Sequence, residues 1–172
     1  DLFNGLIIAS GLPWEEAGVL RAIGSYLRQI RFSFSMEYMA LVLGRNSEAA
    51  HTLIEYFYAK FDPSLEGDRK TKHMGELVKI EHILASIESA DDDRIIRKYA
   101  EVIQAMWRTN FFLKDERKQN RKYLSFKLDS TAISGIPLPK PYAEIFVYSS
   151  RFEAVHLRGG KVARGGLRWS DR

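Results

Sequence analysis

The sequence predicts an α+β chain, with an N-terminal antiparallel helical bundle followed by β-strands. Three observations carry this. Apolar residues recur at helical spacing over roughly the first 110 residues. Strict alternation of apolar and polar residues then appears in Leu124-Ser-Phe-Lys-Leu128, and two further strand-like runs follow from Ala143. The composition, 45% hydrophobic and 12% aromatic over 172 residues, is that of a packed globular chain and not of a disordered one.

Residues 2–9 are apolar but too short for periodicity to choose between strand and helix. Pro13 with Glu15 and Glu16 marks the first clear helix start. Proline suits a first turn, and acids favour the positive end of the helix dipole. Val19, Leu20, Ile23, Tyr26, Leu27 and Ile30 then form one stripe, giving a helix to about Arg31. A second helix is expected from Met36 to Leu43, stopped by Gly44. Ser47 is expected to cap a third, with Leu53, Ile54, Phe57, Tyr58 and Phe61 inward and Asp62-Pro63 as its end.

Glu66 to Thr71 reads as a polar loop. Leu77, Ile80, Leu84 and Ile87 form a narrow stripe on a fourth helix. Asp91, Asp92 and Asp93 open a fifth, whose apolar positions run through Ile95, Tyr99, Val102 and Ile103 to Met106 and Trp107. Past Lys114 the character changes to a charged, solvated run. Leu124–Leu128 follows as a half-buried strand, and Ile136-Pro-Leu-Pro-Lys-Pro141 as a stiff linker. Ala143 to Tyr148 and Phe152 to Leu157 are two further strands about a turn at Ser149-Ser150-Arg151. A last strand pair is expected around Val162-Ala163 and Leu167–Trp169. The domain organisation predicted is a helical module over 1–113, a connection with one strand over 114–141, and the opening strands of another domain over 142–172.

Composition excludes several chemistries. There are no cysteines, hence no disulfide framework and no thiolate site, which fits a reducing, cytoplasmic compartment. No apolar run reaches the roughly 18 residues of a membrane span. His51, His73, His82 and His156 lack metal-ligand spacing. The start is not a signal peptide; with no initiating Met and an end in mid-pattern, the sequence is expected to be an internal piece of a longer polypeptide. From Arg151 onward six Lys or Arg stand against Glu153 and Asp171. That excess equals the whole net charge of +4, so residues 1–150 are balanced and the basic character is local.

The basic end holds the densest motif, His156-Leu-Arg-Gly-Gly-Lys-Val-Ala-Arg-Gly-Gly-Leu-Arg-Trp-Ser-Asp-Arg172. Two glycine pairs, Gly159-Gly160 and Gly165-Gly166, each follow an arginine, Arg158 and Arg164. Glycine lets backbone approach a ligand closely, and the guanidinium fork suits a carboxylate or phosphate. Gly160 and Gly165 have P-loop spacing, but Gly166-Leu167 stands where Lys-Ser/Thr is required, and G-x-G-x-x-G is absent. Two other readings stay open. The glycine pairs fit plain tight turns, and the arginine-glycine elements fit a non-catalytic helical interaction module with a basic appendage for nucleic acid or protein. Against the nucleic-acid reading, Leu157, Val162, Leu167 and Trp169 interleave with the glycines and look built to fold.

The run KVARGGLRWSDR, preceded by AEIFVYSSRFEAVHLR, resembles the long-chain bacterial NAD-specific glutamate dehydrogenases. The resemblance extends through GLPWEEAGVLRAIGSYLRQIRFSFSMEYM and LIEYFYAKFDP, so it covers most of the chain. It implies a parent enzyme that deaminates L-glutamate oxidatively to 2-oxoglutarate and ammonia with NAD, as a homo-oligomer without nucleic-acid or membrane partners. It also implies that the final strands begin the α/β substrate-binding part of the dehydrogenase catalytic domain. The substrate-site stretch of the family is carried here by Arg164, Gly165, Gly166 and Arg168, with Leu167 and Trp169 completing it. Arg164 stands where smaller members have Lys, and Trp169 where they have Phe or Tyr. Arg168 either lines the site or pairs with a carboxylate elsewhere. The family's catalytic lysine and its NAD-binding domain lie downstream, so no catalytic or NAD-binding residue is expected here. Residues 1–172 alone are therefore predicted to be inactive: the isolated chain, mixed with L-glutamate and NAD, gives no rise in NADH absorbance above the protein-free rate.

Overall fold

Helices occupy the first two thirds of the chain and a single antiparallel sheet the last third, in a computed structural model that describes residues 5, 8–116 and 119–162. Residues 8–10 are helical; of the rest of the ambiguous opening stretch, 2–4, 6 and 7 lie outside the described residues. Five helices follow: α1 (Trp14–Gln29), α2 (Met36–Arg45), α3 (Ser47–Phe61), α4 (Arg69–Ala85) and α5 (Ala90–Ala105). The strands are β1 (Met106–Thr109), β2 (Leu124–Leu128), β3 (Ala143–Tyr148) and β4 (Glu153–Arg158), in the spatial order β1-β2-β3-β4.

Each helix start has a local cause. The carbonyl of Pro13 accepts from the Ala17 N–H at 3.0 Å, with Glu15 and Glu16 in the first turn of α1. Ser35 Oγ accepts from the Tyr38 N–H at 3.1 Å, Asp68 Oδ1 from Lys70 at 3.0 Å, and Ser89 Oγ from Asp92 at 3.3 Å. These are side-chain caps on otherwise orphan donors. α1 ends at Ile30 with Arg31 in the left-handed region, φ 61°. The Phe32 N–H bonds back to Leu27 at 2.9 Å and the Arg31 N–H to Arg28 at 3.0 Å, a Schellman closure. A residue with a Cβ in that position costs on the order of 1 kcal/mol relative to glycine.

Four boundaries differ from the sequence expectation. Gly44 does not stop α2; it sits inside the last turn, where an added Cβ would lie 3.5 Å from Ala9. Asn46 ends α2 instead, its Nδ2 donating to the Val42 carbonyl at 2.9 Å, and it also precedes α3, so Ser47 is the first helical residue and not the cap. α4 begins within the expected loop, at Arg69. The largest difference is at the end of α5. Met106 and Trp107 continue the apolar rhythm but belong to β1, which follows Ala105 without a loop. Met106 pairs with Leu128, and the Asp129 N–H donates to the Ala105 carbonyl at 2.8 Å. Distant pairing to β2 overrides a local periodicity that carries no information about strand partners.

Helices and sheet share one core. Val19, Ile23, Leu53, Phe57, Ile95 and Ile103 pack in the same cluster as Phe126, Leu128, Phe146 and Val155. Phe57 meets Phe111 edge-on at 5.4 Å and Phe126 at 6.4 Å. At Gly24 the backbone of α1 passes so close to α5 that an added Cβ would stand 2.7 Å from Tyr99 Oη. Lys60 Nζ donates to the carbonyls of Ile103, at 3.1 Å, and Gln104, satisfying the end of α5.

The ends of α2, α3 and α5 meet at Asp92, which is buried. Its carboxylate accepts from Arg45 through Nε at 2.8 Å and through Nη2, from Asn46 Nδ2 at 2.7 Å, and from Ser89 Oγ at 2.8 Å. The Arg45 hydrogen bonds, helped by Asn46 and Ser89, outweigh burial and hold its pKa down at about 2. A folded-state pKa below the unfolded value makes this a stabilising contribution that is complete above about pH 4 and lost as pH falls toward about 2. The expected outcome is that Asp92→Asn lowers stability at neutral pH and flattens the stability loss between about pH 4 and 2, as read by urea unfolding at stepped pH.

Candidate functional site

The motif-bearing end of the chain leaves the body of the protein from a hairpin. β3 and β4 pair from Tyr148↔Glu153 at the turn to Ala143↔Arg158 at the open end. The turn closes through Ser149, whose N–H donates to the Phe152 carbonyl at 2.9 Å and whose Oγ accepts from Arg151 and Phe152, each at 3.2 Å. At the open end the Tyr142 N–H donates to the Arg158 carbonyl at 2.7 Å, carrying the ladder one step further. Beyond it the chain bends through Gly159, Gly160, Lys161 and Val162, with Arg158 Nη2 donating to the Lys161 carbonyl at 3.0 Å. Two cations, Arg158 and Lys161, thus stand at the exit of β4.

Helix α1 anchors this hairpin. Tyr26 Oη donates to Glu144 Oε2 at 2.8 Å, and the Tyr26 ring tilts against Phe146 at 5.5 Å. Glu144 is wholly buried, on the strand face it shares with Phe146. Near the turn, Glu153 Oε1 accepts from Arg28 Nη2 at 3.0 Å and from Gln29 Nε2 at 2.5 Å. The last turn of α1 therefore grips both strands by charge-assisted or buried hydrogen bonds. Sequence reading passed over Glu144 and Glu153. The available signal was an acid at an inward position of an otherwise apolar strand, which burial tolerates only with a partner.

Arg164, Gly165, Gly166 and Arg168 lie outside the described residues, as does all of the strand pair expected at Val162-Ala163 and Leu167–Trp169 except Val162, which lies in a bend. Of the motif, the described part ends at Val162. At Gly159 and Gly160 an added Cβ would meet nothing within 4 Å and neither residue is in the left-handed region, so the fold itself does not require glycine there. Two of the histidines have local duties: His51 Nε2 lies 2.7 Å from the Ser10 carbonyl, and His73 stacks on Tyr56 at 4.3 Å. Among the described residues no cluster of three or more His, Cys, Asp or Glu is placed to hold a metal ion, and no helix is long and apolar enough to cross a membrane. A dinucleotide site needs a parallel strand–helix–strand unit with the pyrophosphate on a helix N-terminus. The four described strands are consecutive antiparallel neighbours with no α-helical crossover between them, so the described residues do not form such a unit for NAD.

Comparison with known proteins gives one consistent answer. Residues 79–172 match the family described as bacterial NAD-glutamate dehydrogenase, catalytic domain, and residues 1–63 match glutamate dehydrogenase, helical motif 3. The whole chain is 47% identical to the NAD-specific glutamate dehydrogenase of Halomonas elongata, 43% to that of Pseudomonas aeruginosa and 41% to that of Mycobacterium tuberculosis. It spans about 11% of the length of each of these relatives.

The anchoring of the hairpin has a measurable consequence. Tyr26→Phe removes the hydroxyl donor from a wholly buried carboxyl group while leaving the ring contact with Phe146. It is expected to cost about 1–3 kcal/mol in chemical denaturation, more than a surface tyrosine substitution would.

Proposed function

The chain belongs to the bacterial NAD-glutamate dehydrogenases, and from that premise we propose that its parent protein deaminates L-glutamate oxidatively to 2-oxoglutarate and ammonia, with NAD as hydride acceptor. The observation that carries this is the match of residues 79–172 to the catalytic domain of that family, because the matched residues include the basic glycine motif. NAD supplies the hydride chemistry when bound, and its site falls to other parts of the parent. We assign this stretch no catalytic residue and no metal.

In this reading the contribution of the chain is substrate binding. Arg164 holds a substrate carboxylate through its two-pronged fork, Gly165 and Gly166 let backbone come close, and Arg168 completes the basic edge. The α1-anchored hairpin supports it, since it fixes the point at which the chain leaves β4 toward the motif. Residues 1–113 serve as a helical module, 114–141 as a connection and 142–172 as the opening strands of the substrate-binding part. The helical module packs against the catalytic domain or a neighbouring subunit of a homo-oligomer. A cytoplasmic enzyme without nucleic-acid or membrane partners completes the proposal.

The test uses the full-length parent, with NADH absorbance followed on L-glutamate and NAD. Arg164→Ala is expected to lower kcat/KM by about a hundredfold or more, the scale of a lost charge-assisted substrate contact. A variant with unchanged kcat/KM would move substrate binding to other residues, and a folded wild type inert to glutamate would remove the enzyme assignment altogether.

A further inference from the structure

The left-handed position that closes α1 is one that glycine fills without strain, yet it holds an arginine. Nothing in the closure uses the guanidinium: among the described residues the Arg31 side chain forms no ion pair or hydrogen bond. Backbone strain retained without a structural return points toward a role for the side chain. Arg31 lines a cleft of about 610 Å3 between the end of α1, the helices α4 and α5, and the turn at Ser134 and Gly135.

The cleft is basic in a specific way. Arg94, Arg97 and Lys98 line it from α5, and Glu81 and Glu101 are its acids. Both acids are already committed. Glu81 pairs with Arg97 at 2.9 Å, and Arg97 also binds Asp93 at 2.9 Å. Glu101 pairs with Lys98, whose Nζ also donates to Ser134 Oγ at 2.6 Å. Arg94 Cζ lies 5.3 Å from the Phe34 ring centroid, and the side chain has no acid partner among the described residues. A ring contact of this kind uses none of the guanidinium N–H donors, which stay available to an anion. Arg31 and Arg94, neither paired with an acid among the described residues, thus line one cleft.

We propose that this cleft is a binding site for a small oxyanion carrying at least two negative charges, clamped between Arg31 and Arg94. Diphosphates and short dicarboxylates share that chemistry, since both present planar or tetrahedral oxygen edges that accept two parallel N–H bonds. The site is separate from the glycine motif, so it does not depend on the substrate assignment.

The test is calorimetric titration of the full-length parent with pyrophosphate and, separately, with succinate, at fixed ionic strength, for wild type, Arg31→Gly and Arg94→Gln. Thermal unfolding without ligand is recorded for each. Saturable binding of either probe to wild type, weakened about tenfold or more in both variants, is expected. Preference for one probe then tells phosphate from carboxylate. Because glycine fits the closure, Arg31→Gly is expected to leave the melting temperature unchanged or raised. The proposal fails if neither probe binds wild type, if binding survives both substitutions, or if Arg31→Gly alone melts lower, which would mean that Arg31 is holding another part of the parent chain.

Discussion

One tyrosine joins the two halves of this chain. The hydroxyl of Tyr26 reaches Glu144, 118 residues away in sequence, while its ring rests on Phe146 two positions along the same strand face. Helix α1 and strand β3 are thereby held both by polar and by apolar contact. The two depend on each other: a carboxyl group is tolerated at zero exposure only when hydrogen-bonded, and the hydrogen bond is strong only because the surrounding core excludes water. With β3 fixed on α1, the ladder places β2 and β4 beside it, and β1 follows beside β2.

The remaining ties act at helix ends, where backbone groups lack intrahelical partners. Asp92 collects Arg45, Asn46 and Ser89 at the junction of α2, α3 and α5, and Lys60 answers the carbonyls at the far end of α5. Since α5 runs into β1 without a loop, holding both ends of α5 also holds the register of the first strand. Helices and sheet thus share one core.

The chemistry sits at the margins of this core. The basic exit of β4 and the Arg31 end of the cleft both lie where the backbone leaves regular structure. Both carry residues that the core does not use: Gly159 and Gly160 relieve no clash, and Arg31 is strained where glycine would be relaxed. Positions that packing leaves undetermined, or that stability would choose differently, are where function has room to select residues.

Much of the architecture was legible in the residues themselves. Helical stripes, the alternation in Leu124–Leu128 and the Ser149 turn are local codes, set by neighbours within four or five positions; the caps at Ser35, Asp68 and Ser89 emerged only in the structure. Family membership was legible too, because the glycine motif and its flanks form a long non-repetitive run. The capture of Met106 and Trp107 by a strand was not legible, since apolar rhythm is blind to a partner some twenty residues away. Nor was the continuation of α2 through Gly44, which packing against Ala9 permits. The acids Glu144 and Glu153 acquired their meaning only when β3 and β4 were laid against α1. Sequence determined the local elements and the family; tertiary structure decided where α5 yields to β1, which buried polar groups meet and which of the described arginines lack an acid partner, because burial and pairing are properties of distant residues brought together.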